Sequence, residues 1–175
     1  ETEDGIRIID QHALHERILF NRLQKRMREG SVESQKLLVP DLVELPKPEF
    51  YAVMELEEDL GRFGMRIEAF GDSTVIVRSF PSILERFDGK QFFQDLLDEL
   101  EGPAGAQRVD GRVEKIMKIM ACRGSVKAGD RLSAGQIKSI LGQRQEPGQM
   151  DTCPHGRPTS ILLSREELGK LFHRD

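Results

Sequence analysis

Cys153-Pro154-His155-Gly156-Arg157-Pro158 sets a thiol and an imidazole two positions apart. Asp10-Gln11-His12-Ala13-Leu14-His15-Glu16 supplies two histidines and two carboxylates in one short run, and Ala121-Cys122-Arg123 carries the second thiol. Thiolate, imidazole and carboxylate together suit a zinc-like or manganese-like ion. The donors come from three distant stretches, so only the fold can assemble them. Catalytic metal sites are commonly built that way, and an open one can convert water into a nucleophile.

Helical geometry would place His12 and Glu16, four apart, on one face and within reach of one ion. Asp10 at the mouth of that helix can act as an N-cap, or can hold a second ligand or a water bound to the ion. The plainer alternative is that Asp10 only caps, His12 lies on the surface and Glu16 pairs with an arginine. The order His12-x-x-His15-Glu16 is not the H-E-x-x-H of zinc peptidases, so a peptidase is disfavoured. Pro154 restricts itself and Cys153 to extended backbone, which would project Cys153 and His155 to the same side. Arg157 follows closely enough to face a phosphate. Cys122, inside an apolar helix, would by itself be a small buried core residue.

The elements that must position these groups follow from periodicity. Ile6–Ile9 is a short strand, and a helix from Gln11 to Glu29 starts at Asp10 and stops at Gly30. Residues 35–45 are extended, punctuated by Pro40 and closed by Pro46. One helix is expected over 49–63, stopped by Gly64, and a hairpin over 65–80 turns at Gly71-Asp72. Helices are expected over 90–100, 112–126, 134–141 (capped by Ser133) and 165–172, with a break at Gly102-Pro103-Ala104-Gly105. Residues 145–151 read as loop and 161–163 as a strand. Strands and helices mix without regular alternation, so the expected class is α+β.

Composition bounds the function. With 175 residues, 38% hydrophobic and 32% charged, the chain can form one real core or two small subdomains. No apolar run approaches the roughly 20 residues of a membrane span. The acidic Glu1-Thr2-Glu3-Asp4 is unlike a secretion signal and suits a linker or fragment end; a reduced, cytoplasmic setting is expected. The formal charge is −4, there is no Trp and one Tyr, and Arg22, Lys25, Arg26 and Arg28 are the main basic grouping. A module that grips duplex DNA by its phosphates usually carries a basic face. If nucleic acid is the substrate, a partner must deliver it.

Asp10-Gln11-His12-Ala13-x-x-Glu16, Ala121-Cys122-Arg123, Cys153-Pro154-His155-Gly156-Arg157-Pro158 and Phe172-His173-Arg174 occur in the order seen in MutL C-terminal domains. The chain resembles, over nearly its whole length, those mismatch-repair MutL proteins that carry a latent endonuclease. The resemblance implies a homodimeric α+β domain that nicks DNA at a site for one or two divalent ions. It also implies His12, Glu16, Cys122, Cys153 and His155 as ligands and Asp10 as an essential acid. Mn²⁺ or Mg²⁺ would drive nicking, and Zn²⁺ would be a structural or regulatory occupant. Where the family motif has a second glutamate, this chain has Asn21, which keeps an oxygen acceptor without the charge. That departure leaves open a non-catalytic dimerisation scaffold with structural zinc.

Gln35-Lys36-Leu37-Leu38-Val39-Pro40 resembles the Q-x-x-[LIV]-x-P segment by which such domains engage the replication sliding clamp. Gln35 would fix register and Leu38 would enter an apolar pocket ahead of Pro40. The alternative is an ordinary strand face made by Leu37 and Val39. The domain organisation expected is a dimerising, metal-bearing part over 1–34 and 108–175, with an inserted outer part over 35–107. Duplex DNA would be bound weakly alone, with the clamp and a mismatch-recognition protein as partners. Asp10, Glu16 and Arg157 are the residues expected to serve phosphodiester hydrolysis.

Overall fold

The computed structural model describes residues 2–30, 32–84, 87–101, 109–143 and 150–173. Helices and two small antiparallel sheets make up the α+β class expected. No helix among the described residues is long and apolar enough to cross a membrane. The chain divides into two compact units: Glu1–Ile18 with Ser125–Asp175, and Leu19–Gly124.

In the first unit, strand β1 (Gly5–Ile9) pairs antiparallel with β5 (Ser160–Ser164), from Gly5↔Ser164 to Ile9↔Ser160. Gly5 is required there: its φ is +149°, and a Cβ would stand 2.1 Å from the Leu163 carbonyl oxygen. Helix α1 (Gln11–Arg28) begins in this unit. Helices α6 (Ala134–Gly142) and α7 (Arg165–Leu171) both start with reciprocal capping boxes, Ser133/Gln136 and Ser164/Glu167. The Ser164 backbone N–H and hydroxyl hold the Glu167 carboxyl below its ordinary value. Leu14, Ile18, Ile140 and Met150 form a small core, with Ile9, Val126 and Leu132 packed against it.

The second unit has a three-stranded sheet in the order β2-β4-β3, built from β2 (Ser34–Glu44), β3 (Arg66–Phe70) and β4 (Thr74–Pro81). Helices α2 (Lys47–Met54), α3 (Glu57–Arg62), α4 (Gly89–Glu101) and α5 (Val109–Gly124) surround its core. Phe92 of α4 meets Phe93 edge to face, with centroids 5.7 Å apart.

Two expectations change. The single helix over 49–63 is two helices, one ending at Met54 and the next starting at Glu57. Leu56 N–H bonds to the Val53 carbonyl at 3.0 Å, a tight turn after which the helix restarts. Helix α5 starts at Val109 and ends at Gly124, whereas 112–126 was expected. The two units divide within α1 and within α5. Leu19, Phe20 and Leu23 of α1 lie in the larger core with Ile116, Met117 and Met120 of α5, which draws both helix segments into that unit. The expected Gly102–Gly105 break and most of the 145–151 loop fall outside the described residues.

Candidate metal centre

The first turn of α1 is set by Asp10. Its Oδ1 accepts the backbone N–H groups of His12 at 2.9 Å and Ala13 at 3.0 Å, and its carbonyl accepts Leu14 N–H. Ala13 and Leu14 then face inward, 1% exposed each. One turn apart, His12 and Glu16 bring their donor atoms within 4.8 Å of each other.

The two histidines of this turn bracket one residue of the returning chain. His12 Nδ1 lies 2.8 Å from the Val126 carbonyl oxygen and 3.1 Å from Ser125 Oγ, while Val126 N–H donates to His15 Nδ1 at 3.1 Å. A carbonyl only accepts, so in neutral His12 the proton sits on Nδ1 and Nε2 keeps its lone pair for a metal. Hydrogen-bond partners, rather than observed protons, assign that tautomer. Gln11 adds a clamp, donating to the carbonyls of Lys127 at 3.1 Å and Asp130 at 2.9 Å.

Cys153 and His155 are delivered by a tight turn, which corrects the extended segment expected. Gly156 N–H returns to the Cys153 carbonyl at 2.9 Å, Cys153 N–H to the Arg157 carbonyl at 2.8 Å, and Thr152 bridges Pro158. Pro154 fits the second position of such a turn, and Gly156, at φ +82°, takes the left-handed place that closes it. His155 N–H also approaches Cys153 Sγ at 3.4 Å, a donor suited to a thiolate. Arg17 Nε donates to the Thr152 carbonyl, and Asp10 N–H donates to that of Thr159 at 3.0 Å, so both ends of the turn are tied to α1 or its entry.

Glu16 is where these elements converge. It is 2% exposed, and one oxygen of it, Cys153 Sγ and one nitrogen of His155 lie within 4.8 Å of one another. Its Oε1 is 3.0 Å from His155 Nδ1, close enough for an ion pair but not aligned as a hydrogen bond, and no other partner satisfies that buried oxygen among the described residues. Burial pushes the Glu16 carboxyl up. The adjoining His155 and Cys153 groups, with the charges of His155 and His12, outweigh burial and hold it below the ordinary value. A buried oxygen lacking a hydrogen bond, a 1%-exposed thiol and two imidazoles fit a divalent ion better than they fit one another.

Cys122 is half-buried near the end of α5 in the other unit, and no disulfide joins it to Cys153. Arg157 is exposed, immediately after the turn. Asn21 is half-buried on α1, three positions into the second unit. His173 is exposed past α7 with a φ of 52°, and Arg174 lies outside the described residues. Sequence reasoning missed Arg17, Gln11 and the backbone of Val126; the first two stand inside or beside the motif, but their partners are more than 100 positions away.

The expected clamp segment lies on β2, an outer strand of its sheet. Between Lys36↔Ser79 and Asp41↔Val77, residues 37–40 stand against Arg78 alone, so the strand bows out. Pro40 contributes by lacking an N–H for pairing. Leu37 packs on the core, whereas Leu38 is 103% exposed and Val39 79%. Leu37 and Val39 therefore do not share an ordinary strand face.

Residues 1–132 match the family model described as MutL C terminal dimerisation domain. The chain is 38% identical to the DNA mismatch repair protein MutL of Phenylobacterium zucineum over 174 residues, covering 99% of this chain and 28% of that protein. The MutL of Paramagnetospirillum magneticum is 40% identical over 99% of this chain and 29% of its own length. For Caulobacter vibrioides MutL the figures are 36%, 99% and 27%. This chain thus spans under a third of those relatives' length, and it belongs to the MutL C terminal dimerisation domain family.

Proposed function

We propose that this domain nicks duplex DNA during mismatch repair, by metal-dependent phosphodiester hydrolysis centred on Glu16. The observation that carries the proposal is the buried Glu16 oxygen without a hydrogen bond, flanked by Cys153 and His155 and within reach of His12. A divalent ion held there would polarise the phosphodiester and acidify water. The four side chains hold and orient that ion; Cys122, the fifth expected ligand, is tested by Cys122→Ser in the same metal titrations. Arg157, exposed beside the turn, would offset phosphate charge as it develops. Thiolates favour Zn²⁺ by softness, while Mn²⁺ or Mg²⁺ is proposed for the nicking step.

A chain of net charge −4 does not hold DNA strongly by itself. Delivery by a sliding clamp, through Leu38 on its bowed strand, and by a mismatch-recognition protein is therefore part of the proposal. Self-association is the other part. Ile6↔Leu163 and Ile8↔Ile161 are cross-strand partners, so one face of the β1-β5 ribbon carries four apolar side chains, with Ile8 and Ile161 each 50% exposed. A two-stranded ribbon is marginal without a further layer, and a second copy of the domain supplies one. Ile8→Glu should weaken dimerisation at least ~30-fold, the scale of an interface hot spot, as read by sedimentation equilibrium. An unchanged dimer would move the interface elsewhere.

The second reading, a scaffold with structural zinc, is favoured by the full role of Asp10 as a helix cap and agrees with Asn21 standing where the motif this chain resembles carries a glutamate. Asp10→Asn separates the readings, since asparagine caps as well as aspartate and only the charge is lost. Nicking of supercoiled plasmid with Mn²⁺ and loaded clamp should fall at least ~100-fold in this variant, with folding and dimerisation retained. Nicking at the parental rate would leave Asp10 as a cap alone. No nicking by the parental domain, with zinc bound, would favour the scaffold.

A further inference from the structure

We infer that His15, which offers no ligand to the proposed centre, is a positioning residue that sets the tautomer of His12. Three contacts carry this. Val126 N–H donates to His15 Nδ1 at 3.1 Å, the carbonyl of the same residue faces His12 Nδ1 at 2.8 Å, and Val126 packs against the small core beside Leu14 and Ile18. The backbone dictates opposite proton placements on the two rings. His15 must present a bare Nδ1 to an N–H, so its proton is on Nε2. His12 must present Nδ1–H to an oxygen, so its lone pair is on Nε2.

The coupling runs through one residue's backbone. His15 anchors the Val126 N–H, fixing the orientation of that residue and with it the carbonyl that His12 reads. Without the anchor, Val126 can turn, and His12 can exchange Nδ1–H for Nε2–H, taking the proton onto the nitrogen needed for a metal. Ser125 Oγ, 3.1 Å from His12 Nδ1, can either donate or accept and so does not select a tautomer. In α-helical sequence the three-residue step from His12 to His15 is what sets both rings on neighbouring positions of one turn. The functional consequence rests on the metal reading of Glu16, but the tautomer claim does not.

The test uses the whole domain, labelled with ¹⁵N and free of metal, in which two-bond ¹H–¹⁵N spectra report the tautomer of each histidine. The parental protein should show His12 as Nδ1–H and His15 as Nε2–H. His15→Leu removes the acceptor and should leave His12 a mixture of tautomers. Its Zn²⁺ affinity, measured against a chromophoric chelator, should fall ~10–100-fold, as for loss of a group that orients a ligand. His15→Asn places an amide oxygen near the original Nδ1 and should restore both readings. His15→Gln, one methylene longer, should restore neither.

A purely structural role would change melting temperature without moving the His12 tautomer, and that result in His15→Leu overturns the inference. If His15→Leu does not fold, equal His12 spectra in the Asn and Gln variants overturn it. A parental domain that shows the stated tautomers but binds no Zn²⁺ refutes the metal reading and leaves the positioning role standing.

Discussion

Glu16→Gln should abolish metal binding by the centre while leaving the metal-free domain folded. The substitution keeps shape and removes charge from a carboxylate that is 2% exposed. Loss of a group that merely orients a ligand costs ~10–100-fold in metal affinity, so loss of the ligand itself should exceed ~100-fold. Mn²⁺-dependent nicking should disappear with it. Stability behaves differently because the carboxyl is held below its ordinary value: His155, Cys153 and His12 already outweigh burial. The charged form therefore stabilises the fold, and the exchange should lower the unfolding free energy near neutral pH by about 1 kcal/mol.

The pH dependence has a definite sign. A depressed carboxyl adds stability that is present above its unfolded value and is lost as pH falls through the folded one. An amide at the same position does not titrate, so this pH-dependent contribution is present in the parental domain and missing from Glu16→Gln. Whatever margin the parental domain holds near neutral pH should shrink as pH drops through the carboxylate range. Chemical denaturation at several pH values, beside zinc titration, would check both statements. A Glu16→Gln domain binding zinc at parental strength would remove the centre from the proposal.

Leu38→Ala should separate clamp stimulation from everything else. The side chain is 103% exposed on a strand bowed away from its neighbour, so truncating it should change stability by less than ~0.5 kcal/mol. If Leu38 enters an apolar pocket of the clamp, the same truncation should weaken clamp affinity at least ~30-fold. Clamp-stimulated nicking should fall accordingly, and any nicking without clamp should be unaffected. Binding measured by interferometry on immobilised clamp gives the first number, and plasmid nicking with and without clamp gives the second. Parental clamp affinity in Leu38→Ala would return the segment to a purely structural role.

Local signals were the legible ones. Asp10 as cap, the four-residue step from His12 to Glu16, Ser133 as cap and the hairpin turn at Gly71 all depend on neighbours in sequence, and the structure has each. The split at Leu56 was hidden because Phe50, Val53, Leu56, Leu60 and Phe63 also satisfy one continuous helix approximately. The turn at Cys153 was misread as extended for a related reason: proline suits both, and Gly156 at φ +82° decides between them. Arg17 and His15 could not be assigned from sequence at all. Each acts on a backbone group, of Thr152 and of Val126, and a backbone group has no letter in the sequence.

The turn that presents Cys153 also governs how that sulfur meets reagents other than metals. A thiol 1% exposed is shielded from oxidants and alkylating agents, whatever its intrinsic reactivity. Cys122, half-buried, has no such degree of shelter. Cys153 is thus the less accessible of the two sulfurs, so a thiol-labelling reagent should reach Cys122 before it in the folded, metal-free domain.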